Sequence, residues 1–224
     1  MDDYVSKSCS DYLRERFAGL KTSHARELVA AFFGYKSHAA LLSDKAHPIE
    51  ELSDAQILIP DEVMIYERKE CLKGLPDSLP SGMDLAYEIA DFLQAEQLFE
   101  GEVWHCDDIG EYMIEEYLPQ HLSPQLDDEL ADVIESVNAF FEEIEYDEVD
   151  VDEKPNNIYI TVKGTYSGVS LDDDDFNGDT IDFEVFIKLP RWAGKVAFSE
   201  PEIEVEGTVN RDYLDEEDEA LAAS

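Results

Sequence analysis

Lysine and arginine are missing from the middle of this chain. Between Lys73 and Lys154 neither occurs, although the span holds 25 aspartates and glutamates. Over the whole sequence 16 basic side chains stand against 55 acidic ones, a formal net charge of −39. A field of that sign repels phosphate backbones and anionic membrane surfaces, which argues against direct binding to nucleic acid or lipid and makes a basic partner the natural expectation. Cysteine is scarce: Cys9, Cys71 and Cys106 are widely spaced and odd in number, and no CxxC pair suggests a disulfide framework or zinc knuckle. No run approaches eighteen apolar residues, and Met1–Tyr4 lacks the basic start of an export signal, so the expectation is a soluble, cytoplasmic protein.

The motifs of common catalysis are missing too. There is no GxGxxG, Walker-type loop or GxSxG elbow. The five histidines, His24, His38, His47, His105 and His121, form no HxH or HxxxH pair. His105-Cys106-Asp107-Asp108 is the one cluster of reactive types, but neighbours on an extended chain point to opposite faces, and a helix capped at Asp107 or Asp108 explains it. No catalytic residue is assigned, and the reading leans away from an enzyme.

What is present suffices for a folded core: 224 residues, 44 % of them hydrophobic and 11 % aromatic. The charge is unevenly placed. Residues 1–60 carry 7 basic and 9 acidic side chains, whereas residues 100–154 carry 1 and 20. Adaptation of a whole proteome to salt would act on the entire surface, and the first sixty residues escape it.

The periodicities predict an α+β fold in three parts. Residues 1–75 read as a small helical module: Ser10, Ser23 and Ser37 are placed to cap three helices, and a fourth runs from about Pro60 to Leu72. Residues 76–210 read as an acidic α+β domain behind the turn-rich stretch Leu75–Gly82. Its helices, running to about 141, carry the stripes Leu85, Ile89, Phe92, Leu93; then Ile109, Tyr112, Met113, Tyr117, ending before Pro119; then, from a Ser123-Pro124 cap, Leu126, Leu130, Val133, Val137, Phe140, Phe141. Strands follow from about 143 to 209 as an antiparallel meander, with Glu202, Glu204 and Glu206 on its outer face. Residues 211–224 read as a disordered acidic tail.

The outward faces of the helical block suggest a partner-binding surface of Asp107, Asp108, Glu111, Glu115, Glu116, Asp127, Asp128, Glu129, Asp132 and Glu135. Asp128 and Asp132 stand one turn apart with no base to pair them, and such like-charge pairs cost roughly 0.2–0.5 kcal/mol each. Stability alone would not select that arrangement.

Two further patterns bear on ligands. Asp173, Asp175, Asn177, Gly178 and Glu184 complete D-x-D-x-N-G-x5-E, the calcium-loop spacing. Its flanks alternate with a period of two rather than forming helices, so a polar hairpin loop turned at Asn177-Gly178 accounts for it, and no cofactor is expected beyond this calcium alternative. Residues 26–43 have helix-turn-helix spacing, with Ala30, Gly34 and Tyr35, but Lys36, His38 and Lys45 are a sparse basic offering to a duplex.

The run from Leu20 to Leu42, with its Ser23-His24 opening and its Gly34-Tyr35-Lys36 turn, resembles the short N-terminal helical module of bacterial glyoxalase-related proteins. The likeness extends more loosely over about residues 10–75, through Ile59-Pro60-Asp61. It implies a bacterial module from a mobile-element or defence-related setting, with a small metal-dependent enzyme as the alternative function. The lyase domain of that family needs paired βαβββ units with His and Glu ligands, and the remainder of this chain reads otherwise.

Taken together, the expectation is a non-enzymatic acidic protein that binds and inhibits a basic, nucleic-acid-binding protein by imitating nucleic acid. A globule of this length is about 45 Å across, and duplex DNA at one charge per roughly 1.7 Å presents about 26 charges over that distance. The 25 carboxylates between Lys73 and Lys154 are of that order.

Overall fold

A computed structural model describes residues 4–136, 139–170 and 180–210. The fold is α+β, with helices in the N-terminal part and antiparallel strands in the C-terminal part. The chain divides into two compact units, the first taking residues through Asp107 together with Pro155–Asn157 and Leu189–Pro201. The second takes Asp108–Lys154, Ile158–Lys188 and the chain from Glu202. The turn-rich stretch 75–82 lies inside the first unit, and the first crossing falls at Asp107/Asp108.

In the first unit α1 (Tyr4–Arg16), α2 (Thr22–Phe32), α3 (His38–Ser43), α4 (Glu62–Cys71) and α5 (Gly82–Ala95) surround an apolar core. Helix α2 lies deepest: Ala25 and all of Leu28–Phe33 are fully buried. It ends at Gly34, whose φ of 79° is left-handed and favours glycine. Ser37, Asp61 and Ser81 cap α3, α4 and α5 by accepting from the backbone N–H of Ala40, Met64 and Asp84. Of the expected stripe, Leu85, Ile89 and Leu93 are fully buried and Phe92 is half-buried against the same core. Ser10 and Ser23 are not caps: α1 begins earlier, so Ser10 is buried within it, and the N-cap position of α2 is Lys21, without a side-chain bond. A short sheet joins β1 (Ile57–Leu58), parallel to β2 (Glu102–Val103) and antiparallel to β6 (Ala197–Phe198), which pairs with the end of β5 (Thr180–Ala193).

The second unit is an antiparallel sheet with helices on one face. Strand order is β3 (Ala139–Glu153), β4 (Asn157–Ser170), β5 and β7 (Glu202–Asn210). Helices α6 (Ile109–Tyr112), α7 (Leu118–Glu129) and α8 (Ala131–Glu135) pack on β3 and β7, and a π turn at Met113–Tyr117 joins α6 to α7. The helices bury Met113, Leu118, Leu122, Leu126 and Leu130. The strands bury Ile160, Val162, Tyr166, Ile181, Phe183, Val185 and Ile187. Gly164 allows a close approach in this layer, because a Cβ there would stand 2.3 Å from the Glu145 carbonyl oxygen and 2.5 Å from Phe183 Cζ.

Here the structure corrects two expectations. The helical chain passes through Pro119, which sits in the first turn of α7 where a missing N–H costs little, so Ser123-Pro124 falls within that helix rather than opening it. The last helix stops at Glu135 instead of about 141, and β3 begins at Ala139. Phe141 fits the 3.6-residue stripe, but it also begins the in-facing series with Ile144 and Tyr146, and pairing with β4 in register decides for the strand.

Candidate functional site

The second unit concentrates the charge. Among the described residues it holds 22 carboxylates and 3 basic side chains, whereas the first unit holds 20 and 12.

On its helical side, Asp108 caps α6, its Oδ1 accepting from the Glu111 N–H at 3.0 Å. Glu111, Glu115, Glu116, Glu129, Asp132 and Glu135 are all exposed. Glu116 accepts a long bond from Gln120 Nε2 at 3.4 Å. None of these carboxylates makes an ion pair among the described residues. Asp107 is also exposed but belongs to the first unit. Asp127 and Asp128 lie in α7, and their side chains fall outside the described ones.

The outer face of the sheet carries a second array that the expected site residues did not include. Along β3, two register shifts, at Phe141/Glu143 and Tyr146/Glu148, keep Glu143, Glu145, Asp147, Glu148, Asp150 and Asp152 exposed while Ile144, Tyr146, Val149 and Val151 turn inward. Along β7, Glu202, Glu204 and Glu206 are exposed as the alternation predicts. The strands between them add Asp182 and Glu184, together with Tyr159, Thr161, Lys163, Phe186 and Lys188. Glu184 stands opposite Glu206 in register, a like-charge cross-strand pair.

Every lysine on this face is engaged. Lys188 Nζ donates to both oxygens of Glu202 at 2.9 and 3.1 Å, and those bonds hold its pKa above the ordinary lysine value. Lys163 lies 3.7 Å from Glu148 and 4.0 Å from Glu184. Lys154 pairs with Asp152 at 2.6 Å. The face is not flat: a concavity of about 740 Å³ is lined by Asp147, Lys163, Thr165, Asp182, Glu184 and Glu206, among others. The signal for this array was the period-two alternation with an acid at nearly every polar position of β3 and β7.

Of the calcium-loop residues, Asp173, Asp175 and Asn177 lie outside the described residues. Glu184 is on β5, within 4.0 Å of the Lys163 ammonium. Among the described residues no group of three or more His, Cys, Asp or Glu side chains is arranged to hold a metal ion. His105 Nδ1 lies 3.3 Å from Glu62 Oε1, and its ring stacks on Tyr87. In the helix-turn-helix segment α3 has six residues, and His38 is held internally by Ser6 Oγ at 3.2 Å while its N–H donates to Glu27. No described helix is long and apolar enough to cross a membrane.

Comparison with known proteins finds no family model, no curated protein and no solved structure that matches this chain.

Proposed function

We propose that the protein is an acidic binding protein whose second unit presents carboxylates to a basic, nucleic-acid-binding partner and occupies that partner's nucleic-acid site. The observation that carries this reading is the paired arrangement of charge on the sheet. Two carboxylate rows, on β3 and β7, flank the two inner strands. Alternate residues of a strand recur about every 6.7 Å, and edge strands three spacings apart stand roughly 14 Å from each other. The major groove of duplex DNA is about 12 Å wide, so two negative rails at this separation resemble the phosphate walls of a groove.

The density is of the right order as well. Eleven carboxylates occupy the outer face, namely those between Glu143 and Asp152, Asp182 and Glu184, and the three of β7. Over the roughly 30 Å of strand from residue 143 to 152 that is about one charge per 2.7 Å, against one per roughly 1.7 Å for the duplex. Because the face encloses a concavity rather than a bulge, the partner's basic element enters between the rails, as a recognition element enters a groove.

The test is capture from bacterial lysate on immobilised full-length protein, at roughly 0.1 M and 0.5 M salt, with duplex DNA as competitor. The expected result is retention of a nucleic-acid-binding protein at low salt, its release at high salt or by DNA, and its loss from the variant Glu204→Lys/Glu206→Lys. Retention of no basic protein, or retention indifferent to DNA, overturns the reading.

A further inference from the structure

Four large apolar side chains of the first unit are exposed on two packed helices. Val63 and Tyr66 of α4 are 55 % and 61 % exposed, and Met83 and Tyr87 of α5 are 57 % and 43 %. Spacings of i, i+3 on α4 and i, i+4 on α5 put each pair on one face of its helix. The helices meet at backbone distance, because a Cβ on Gly82 would lie 3.2 to 3.3 Å from the N, Cα and Cβ of Tyr66. Met83 therefore follows beside Tyr66. At the other end Tyr87 stacks on His105 with ring centroids 3.6 Å apart, and His105 reaches Glu62, the residue before Val63. The four side chains thus form one ribbon across α4 and α5.

Exposed apolar residues scattered singly are ordinary, whereas a contiguous group rimmed by polar ones marks an interaction surface. The rim here is acidic. Glu67 and Glu70 on α4 and Asp84 and Asp91 on α5 are exposed at its borders. The cation Lys69 is turned away to the carbonyl of Pro80. A second copy of this chain would set these carboxylates against their own kind, and two chains of net charge −39 repel.

We propose that this ribbon docks a basic amphipathic helix of another protein. Its apolar face lies along Val63, Tyr66, Met83 and Tyr87, and its lysines or arginines meet Glu67, Glu70, Asp84 and Asp91. This is the helix-on-groove mode, in which anchors at i, i+3 and i+4 supply affinity and flanking charges supply orientation. The proposal is independent of the carboxylate rails and uses a different surface.

The probe is a fluorescein-labelled leucine–lysine amphipathic helix about five turns long, titrated against the full chain at roughly 0.5 M salt, where attraction between exposed charges alone is largely screened. Tyr66→Ser/Met83→Ser is expected to weaken binding at least about tenfold with an unchanged circular dichroism spectrum, since both side chains are exposed. Glu204→Lys/Glu206→Lys is expected to leave binding within about twofold. Equal affinity for wild type and Tyr66→Ser/Met83→Ser overturns the proposal, and so does an equal loss in the sheet variant. Hydrogen exchange on the unmodified chain is a second reading that needs no variant. Slowed exchange at 62–71 and 82–95 on adding peptide supports the site, and slowing confined to other segments overturns it. Sedimentation is expected to give a monomer; a dimer abolished by Tyr66→Ser/Met83→Ser assigns the ribbon to self-association instead.

Discussion

In the first unit Arg14, Arg16 and Arg68 each meet a carboxylate, Asp11, Glu88 and Glu27 respectively, so part of its acid is offset. In the second unit three lysines stand against 22 carboxylates, and among the described side chains only Glu148, Asp152, Glu184 and Glu202 pair with them. The first unit draws its stability from a large apolar core and uses charge as trim. The second has a core of ordinary kind, beneath two acidic faces that work against its compactness. Such repulsion is tolerable when screened, but folding does not require it.

Breaking the first unit should require breaking its core. Phe33 is fully buried, lies edge-to-face with Phe32 at 5.1 Å and packs under the turn at Gly194. Phe33→Ala should cost about 3–5 kcal/mol in urea denaturation, the largest single effect expected here. A cost below about 1 kcal/mol would show that the first unit is not core-held in this sense.

The second unit has a steric counterpart. Adding a methyl at Gly164 drives it into the Glu145 carbonyl and the Phe183 ring, so Gly164→Ala should cost about 1–3 kcal/mol by overpacking. Because it displaces β3 from β4, it should also weaken capture of the basic partner, although it changes no charge. Unaltered capture would separate the rails from the local strand geometry.

Acid should act on the first unit through Asp44. Burial alone pushes its carboxyl pKa up, but the Tyr35 hydroxyl at 2.6 Å and the N–H groups of Ala46 and His47 outweigh that and hold it below the ordinary aspartate value. A depressed folded pKa gives stability that is present above the unfolded value of about 3.9 and lost as pH falls through the folded one. Asp44→Asn should therefore cost about 1–2 kcal/mol between pH 5 and 8, allowing for its partial exposure. The gap from wild type should close below about pH 4. A gap that stays constant to lower pH would mean that shape, not charge, explains the residue.

The sequence made some of this legible and hid the rest for physical reasons. The stripe Leu85–Ile89–Leu93 and the cap at Ser37 are local, so their residues alone suffice. Strands β1 and β2, two residues each, are too short to carry a period, and they form only because distant segments supply partners. The helix expected through Phe141 failed where one residue satisfied two periods and pairing across to Ser170 and Gly168 decided. The acids of the helical block were visible as unpaired runs. Those of β3 were visible only as alternation, and their relation to β7 depends on β5 pairing with β7 rather than on anything near residues 143–152 in sequence.

The smallest expected effect is the most diagnostic of the contrast. Glu206 stands opposite Glu184 in register, and like charges directly opposite on a sheet destabilise it. Glu206→Lys turns that pair into an attractive one and should stabilise the protein by about 0.2–1 kcal/mol, measured as a raised urea midpoint with unchanged slope. The same change removes one charge from a rail and adds an opposite one, so it should weaken capture of the basic partner more than a charge reversal at Glu200 in the first unit. Stability and binding then move in opposite directions at one residue, as expected where acid is kept for recognition at a small cost in folding. Were Glu206→Lys to stabilise the sheet and leave capture intact, the carboxylates of β7 would be a solvated surface with no part in binding, and the site would return to the helical face.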